Sequence, residues 1–194
     1  YMNNEKKVEF LQNVYIIKPY EKQFLDELSC IGIGTHYIEG YDDINNSFEL
    51  LRNLGIKNIR NSIQWNQIEN NKKYNFEKID NWFEKIKSSG INILVILFDN
   101  TSKRLGNDYQ ISNENELKNF LEYANEVKKY YGNKIIGVEI WNEPNVKWFS
   151  NQAMNWYSLM VQKVNCLNFN NVVSGATATP YQTEKSEIQQ CSYR

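Results

Sequence analysis

The chain has 194 residues, 22 of them basic and 23 acidic, for a formal net charge of -1. That length suits one domain rather than two, and the near-balance of charge removes the electrostatic case for nucleic acid or an anionic membrane as partner. A single histidine, His36, and three cysteines (Cys30, Cys166 and Cys191) without metal-type spacing give little support to a zinc site or a Cys–His nucleophile pair.

Residues 1–29 read as a lead-in segment, in which Val8–Ile17 has strand-like apolar content and Glu21–Leu28 suits a short helix. The domain proper is expected over 30–194. Ile31–His36 alternates large and small residues as a first strand. A helix follows, with Ile44, Phe48, Leu51 and Leu54 on one side and Gly55 as its stop. Ile56–Ile63 reads as the second strand, with Ile59 and Ile63 on one face and Asn58, Arg60 and Ser62 on the other. An arginine on an inner face needs partners, because an unpaired buried charge is expensive.

The next helix runs from about Asn75 to Ser89, striped by Phe76, Ile79, Phe83 and Ile86 and ended by Gly90. Ile91–Phe98 is almost wholly apolar, as a central parallel strand is, and Asp99–Ser102 follows as a polar loop. A longer helix spans roughly Asn113 to Tyr131 and closes at Gly132. Ile135–Ile140 forms a fourth strand that must stop before Pro144, which cannot continue a ladder. A helix near Gln152–Leu167, a fifth strand at Asn171–Gly175 and an irregular polar tail from Thr177 complete the chain. No stretch has the pattern of a signal peptide or a membrane span.

Strand, loop, helix and glycine thus recur, which makes an α/β fold with a parallel sheet. An open doubly wound sheet and a TIM-type (β/α)₈ barrel both satisfy this. No Gly-rich loop opens a helix after a strand, as a dinucleotide site would need. Polar residues collect after successive strands instead: His36, Gln64–Trp65, Asp99–Asn100 and Asn142–Glu143. A barrel gathers its site from those strand ends. A complete barrel has eight strands over about 250 residues; this chain is expected to stop after about five βα units.

Three stretches carry a likeness to a known group. They are Ile31–His36; Ile59-Arg60-Asn61-Ser62-Ile63-Gln64-Trp65 with Tyr74-Asn75-Phe76 and Asp80; and Glu139-Ile140-Trp141-Asn142-Glu143-Pro144-Asn145. Over Cys30–Gly175 the chain resembles glycoside hydrolase clan A, the retaining (β/α)₈ glycosidases, and within it the β-xylosidase-like and polysaccharide-hydrolase branches. The resemblance implies a carbohydrate substrate, no metal or organic cofactor, Glu143 as general acid/base, Asn142 as ligand of the sugar 2-hydroxyl, and Arg60 as the residue that orients a nucleophilic carboxylate. The chemistry agrees: the acid must hold a proton near neutral pH, which apolar walls such as Trp141 and Pro144 favour.

The resemblance places the nucleophile at the end of a seventh strand. After Glu143 the only glutamates are Glu184 and Glu187, in the polar tail, so the nucleophile is expected outside this sequence. Other positions stay open between two readings. His36 is either a hydrogen-bonded residue at the barrel mouth or a substrate contact. Trp65 and Trp148 follow strand ends and serve either as stacking faces for sugar rings or as packing. Glu139 reads as an interior carboxylate paired with a base such as Arg60. The rival to a hydrolase is a truncated, catalytically inactive barrel or carbohydrate-binding remnant. Open sheet edges would favour self-association.

Overall fold

The structure, a computed structural model, describes residues 31–37, 44–98, 111–147 and 151–176. The lead-in segment, the polar loop after Phe98, Trp148 and the tail from Thr177 lie outside these residues. In chain order the elements are β1 (Gly32–Gly34), α1 (Ile44–Asn53), β2 (Asn58–Gln64), α2 (Trp65–Ile68), β3 (Glu69–Asn70), β4 (Lys73–Tyr74), α3 (Glu77–Ser88), β5 (Asn92–Phe98), α4 (Glu114–Tyr131), β6 (Gly137–Ile140), α5 (Pro144–Lys147), α6 (Asn151–Asn165) and β7 (Val172–Ser174). Five strands form one sheet in the order β1-β2-β5-β6-β7, and every neighbouring pair is parallel. This is the α/β architecture of a TIM-type barrel, seen among the described residues as four successive strand–helix units and a fifth strand, and not closed within them.

Alternation along the strands sorts the two sheet faces. Ile59 and Ile63 of β2, Ile93, Val95 and Leu97 of β5, and Val138 and Ile140 of β6 are buried in one cluster with Phe83 and Ile86 of α3, Phe120 and Val127 of α4, and Met160 and Val164 of α6. Burial of each large apolar side chain contributes about 1.5–3 kcal/mol, so this helix-covered face holds the fold. The opposite face carries Arg60, Ser62, Ile96 and Glu139, and register sets Glu139 beside Ile96 and Val173. Asn61 breaks the apolar pattern on the helix side and is 1% exposed. It accepts from the Thr35 hydroxyl (3.0 Å) and the Tyr37 N–H (2.9 Å), and so fixes the exit from β1.

Helix ends follow local chemistry. Asn113 caps α4 by accepting from the Glu116 N–H at 3.0 Å, and Glu116 accepts back from the Ser112 N–H at 2.7 Å, a reciprocal cap. Gly55 (φ 72°) and Gly90 (φ 76°) leave their helices in the left-handed region, where only glycine sits without strain. Gly132 does not: its φ is -54°, and the chain returns to β6 through a further turn. Three short features were not legible from periodicity. These are α2, α5 and the β3–β4 hairpin, whose turn residues Asn71 (φ 51°) and Lys72 (φ 65°) are both left-handed, as a type I′ turn requires.

Candidate active site

β2 and β6 are not adjacent, because β5 lies between them. Arg60 of β2 has a stem long enough to reach across. Its Nε donates to Glu139 Oε2 at 2.5 Å and its Nη2 to Glu139 Oε1 at 2.8 Å. This is the two-pronged match of a guanidinium to a carboxylate. The Glu139 side chain is 5% exposed and that of Arg60 32%. The expected pairing of Glu139 with Arg60 is therefore present. The Glu139 hydrogen bond holds Arg60 further above the ordinary arginine range, against the opposing effect of burial, with the charges of Glu139 and Glu143 adding.

Arg60 Nη2 also donates to Asn142 Oδ1 at 2.9 Å. A guanidinium has no acceptor, so this bond fixes which way the Asn142 amide lies. Oδ1 faces Arg60, and Nδ2 is left as the donor that a ligand oxygen can meet.

The loop after β6 is unusual in its backbone. Trp141 (φ 67°) and Glu143 (φ 49°) are both left-handed, a conformation that costs a non-glycine residue about 1–3 kcal/mol. Several contacts hold it. The Trp141 N–H donates to Leu97 O at 2.9 Å. The Trp141 indole is 1% exposed and meets Phe98 and Phe120, with ring centroids 5.6 Å and 6.0 Å away. Pro144 is buried. Glu143 is exposed, so Trp141 and Pro144 do not enclose it as the sequence suggested. Trp141 spends its ring on the core.

Tyr157 of α6 closes the far side. Its hydroxyl donates to Ile140 O at 3.0 Å and accepts from the Gly175 N–H at 2.6 Å. Burial pushes the phenol up to about 12; the Gly175 N–H opposes this and the charge of Glu139 adds to it. Beside it the Ala176 N–H donates to Glu139 Oε1 at 2.8 Å. A Cβ on Gly175 would stand 2.6 Å from Trp141 O, 2.8 Å from Ile140 O and 3.0 Å from Pro144 Cδ. Two of these three are backbone atoms, so the loop itself must move. Gly175→Ala is expected to cost about 1–3 kcal/mol, read as a lower urea midpoint at unchanged slope. An unchanged midpoint would show that the loop yields freely.

The structure thus brings Arg60, Glu139, Asn142 and Glu143 to one end of the sheet. His36 is exposed just beyond β1, between the two residues that Asn61 fixes. Trp65 is a correction to the stacking alternative. It is fully buried, stacked on Tyr123 at 5.3 Å and met edge-on by Phe120 at 6.1 Å, so it has no face for a sugar. Trp148 lies outside the described residues. Asn61, Tyr157, Gly175 and Ala176 were not singled out by sequence. Only Asn61 left a signal, as a polar residue in phase with Ile59 and Ile63. Among the described residues no group of three or more His, Cys, Asp or Glu side chains could hold a metal ion.

A family model described as Cellulase (glycosyl hydrolase family 5) matches residues 18–188. No curated protein matches the chain. Solved structures with a similar fold include an endoxylanase of family GH10 retrieved from a sugarcane soil metagenome (TM-score 0.58, 13% identity, covering 78% of this chain and 49% of that one). A family 39 glycoside hydrolase from the gut symbiont Bacteroides cellulosilyticus WH2 is also similar (TM-score 0.56, 19% identity, 74% of this chain and 31% of that one). So is a β-glucosidase from Exiguobacterium marinum (TM-score 0.55, 16% identity, 71% and 37%). The chain spans less than half the length of each of these three structures.

Proposed function

The chain belongs to the cellulase family, glycosyl hydrolase family 5, and on that premise we propose that it carries the acid/base half of a retaining glycosidase site acting on an oligo- or polysaccharide. The observation that supports this most is the Asn142–Glu143 pair on its left-handed loop at the end of β6, with the Asn142 amide turned by Arg60 so that a donor faces outward. A glycosidic oxygen needs a proton as its bond to the anomeric carbon breaks, and a hydrogen bond to the 2-hydroxyl strengthens as positive charge builds there. Glu143 supplies the proton and Asn142 Nδ2 the bond. Glu143 then takes a proton from the water that releases the sugar.

Retention needs a second carboxyl about 5–5.5 Å from the first. Glu139 does not suit that role, because Arg60 occupies both of its oxygens and the Ala176 N–H adds a third bond. The reading therefore puts the nucleophile outside the described residues. Arg60 holds Glu139 and Asn142 through Nε and Nη2, and its Nη1 is the group this reading leaves to orient the nucleophilic carboxylate. The test is hydrolysis of a panel of aryl β-glycosides and soluble β-glucans, with the anomeric product followed by NMR. It should be run on the 194-residue chain and on any longer polypeptide that carries it. Net retention of configuration supports the reading; inversion would sink it.

A second reading rests on a separate observation. Within the described residues β1 and β7 each pair on one side only, and Ile33 of β1 is 37% exposed and Val173 of β7 46%. Unpaired strand edges bearing apolar side chains template association. The 194-residue chain is accordingly expected to sediment as concentration-dependent oligomers. A single monomeric species from low to high micromolar concentration would refute this.

A further inference from the structure

We propose that Glu139 is a positioning residue for sugar recognition: through Arg60 it sets the orientation of the Asn142 amide and couples that orientation to the exit of β7. The inference rests on the reading of Asn142 as ligand of the 2-hydroxyl and adds to it a residue that touches no substrate.

The four groups form one chain of hydrogen bonds. The Ala176 N–H donates to Glu139 Oε1, Arg60 donates to both Glu139 oxygens, and the same Arg60 Nη2 donates onward to Asn142 Oδ1. Each link restricts the next. Glu139 is buried on β6 and its register is fixed against Ile96 and Val173, so it is the fixed end. Arg60 is held at two atoms, Nε and Nη2, which leaves the plane of its guanidinium no freedom. That plane aims the remaining Nη2 hydrogen at Asn142.

Take Glu139 away and the order of consequences is clear. Arg60, already 32% exposed along its side chain, can turn its charge toward water. Asn142 Oδ1 then loses its donor. The amide torsion is broad and roughly two-fold, so Nδ2 and Oδ1 exchange places at little cost. An amide free to flip must give up that freedom to meet the hydroxyl, whereas the fixed donor is already in place. A residue that only stabilised the fold would weaken all binding together; Glu139 is expected to act on one hydroxyl.

The experiment measures affinity for phenyl β-D-glucoside and for its 2-deoxy analogue by ligand-observed NMR. The wild-type chain should prefer the 2-hydroxy compound by about tenfold, one well-made hydrogen bond to a site built for it. Glu139→Gln puts an amide donor against the Arg60 donors and removes one prong. That preference should fall to about twofold or less, while affinity for the 2-deoxy analogue stays within about twofold of wild type. Arg60→Lys keeps the positive charge but cannot hold Glu139 and Asn142 at once, and should lose the preference in the same way; it serves where Glu139→Gln does not fold. Glu126→Gln, which touches only the exposed Lys129–Glu126 pair on α4, should keep the preference. A preference retained in the folded Glu139→Gln or Arg60→Lys variant overturns this inference and leaves Asn142 as the ligand. A wild-type chain indifferent to the 2-hydroxyl overturns the Asn142 reading and this inference with it.

Discussion

In a polypeptide that holds both carboxyls of the proposed site, Glu143→Gln should cut hydrolysis of an unactivated β-glucan oligosaccharide by about 10²–10⁴-fold, the range one positioned acid/base contributes, while leaving binding within about twofold. The substitution keeps shape and volume and removes the transferable proton. Glu143 is exposed, so its replacement by an amide buries nothing and should not move the melting midpoint. The loss should depend on the leaving group. A sugar alkoxide needs the proton, whereas a nitrophenolate leaves almost without it, so the mutant should lose far less on the first step with an aryl glycoside. The second step still lacks its base, and a small anion such as azide, which needs no deprotonation, should restore aryl-glycoside turnover. Undiminished hydrolysis of the oligosaccharide in Glu143→Gln would remove Glu143 from the mechanism. This experiment and the hydroxyl-preference measurement are independent, since binding can persist where turnover does not.

The second large effect is on stability. Arg60→Met should destabilise the fold by about 3–5 kcal/mol, because it leaves a nearly inaccessible carboxylate without its counter-charge. Glu139 is 5% exposed at its side chain, and the Ala176 N–H alone cannot replace two charged bonds. The converse change is milder. Glu139→Leu leaves Arg60 with a third of its side chain in solvent, so the orphaned cation reaches water along its own stem. The double variant Arg60→Met/Glu139→Leu should return to within about 1.5 kcal/mol of wild type, since an apolar pair of similar volume often replaces a buried ion pair without net loss. Urea titrations of the four proteins close the cycle. Additive single effects, or a cost below about 1 kcal/mol for Arg60→Met, would mean the pair is not coupled.

How much of this was legible in the sequence depends on range. β2 alternates and β5 and β6 are largely apolar runs, and the sequence pattern placed all three within two residues, because one-face or two-face burial writes itself into adjacent positions. The helices over Ile44–Asn53, Glu77–Ser88, Glu114–Tyr131 and Asn151–Asn165 were legible for the same reason. The pairing of Arg60 with Glu139 could be suspected from one rule, that an inward charge needs a partner. What could not be read was any contact that no such rule demands. Tyr157 is a helix residue with an ordinary stripe position, and only the fold reveals that its hydroxyl bridges Ile140 and Gly175. Trp65 was open between a stacking platform and packing, and only the fold decides it: α2 turns the ring into the aromatic packing of Phe120 and Tyr123. The short α2 itself gave no periodic signal, being four residues long.

The strictly sequential order of the main sheet has a temporal meaning. Each strand docks on the one before it in that sheet, between 26 and 43 residues back along the ladder, so a ribosome could release the strands one at a time onto a template already present. Arg60 is then synthesised long before Glu139, which follows 79 residues later. Until β6 arrives, that cation stays hydrated on the face of the sheet away from the helices, one strand in from the growing edge. Only a correctly registered β6 offers it a carboxylate, since a slip by one residue would send Glu139 to the helix side. A closed Arg60–Glu139 pair is therefore a mark of the right alignment of the strand whose end presents Asn142 and Glu143.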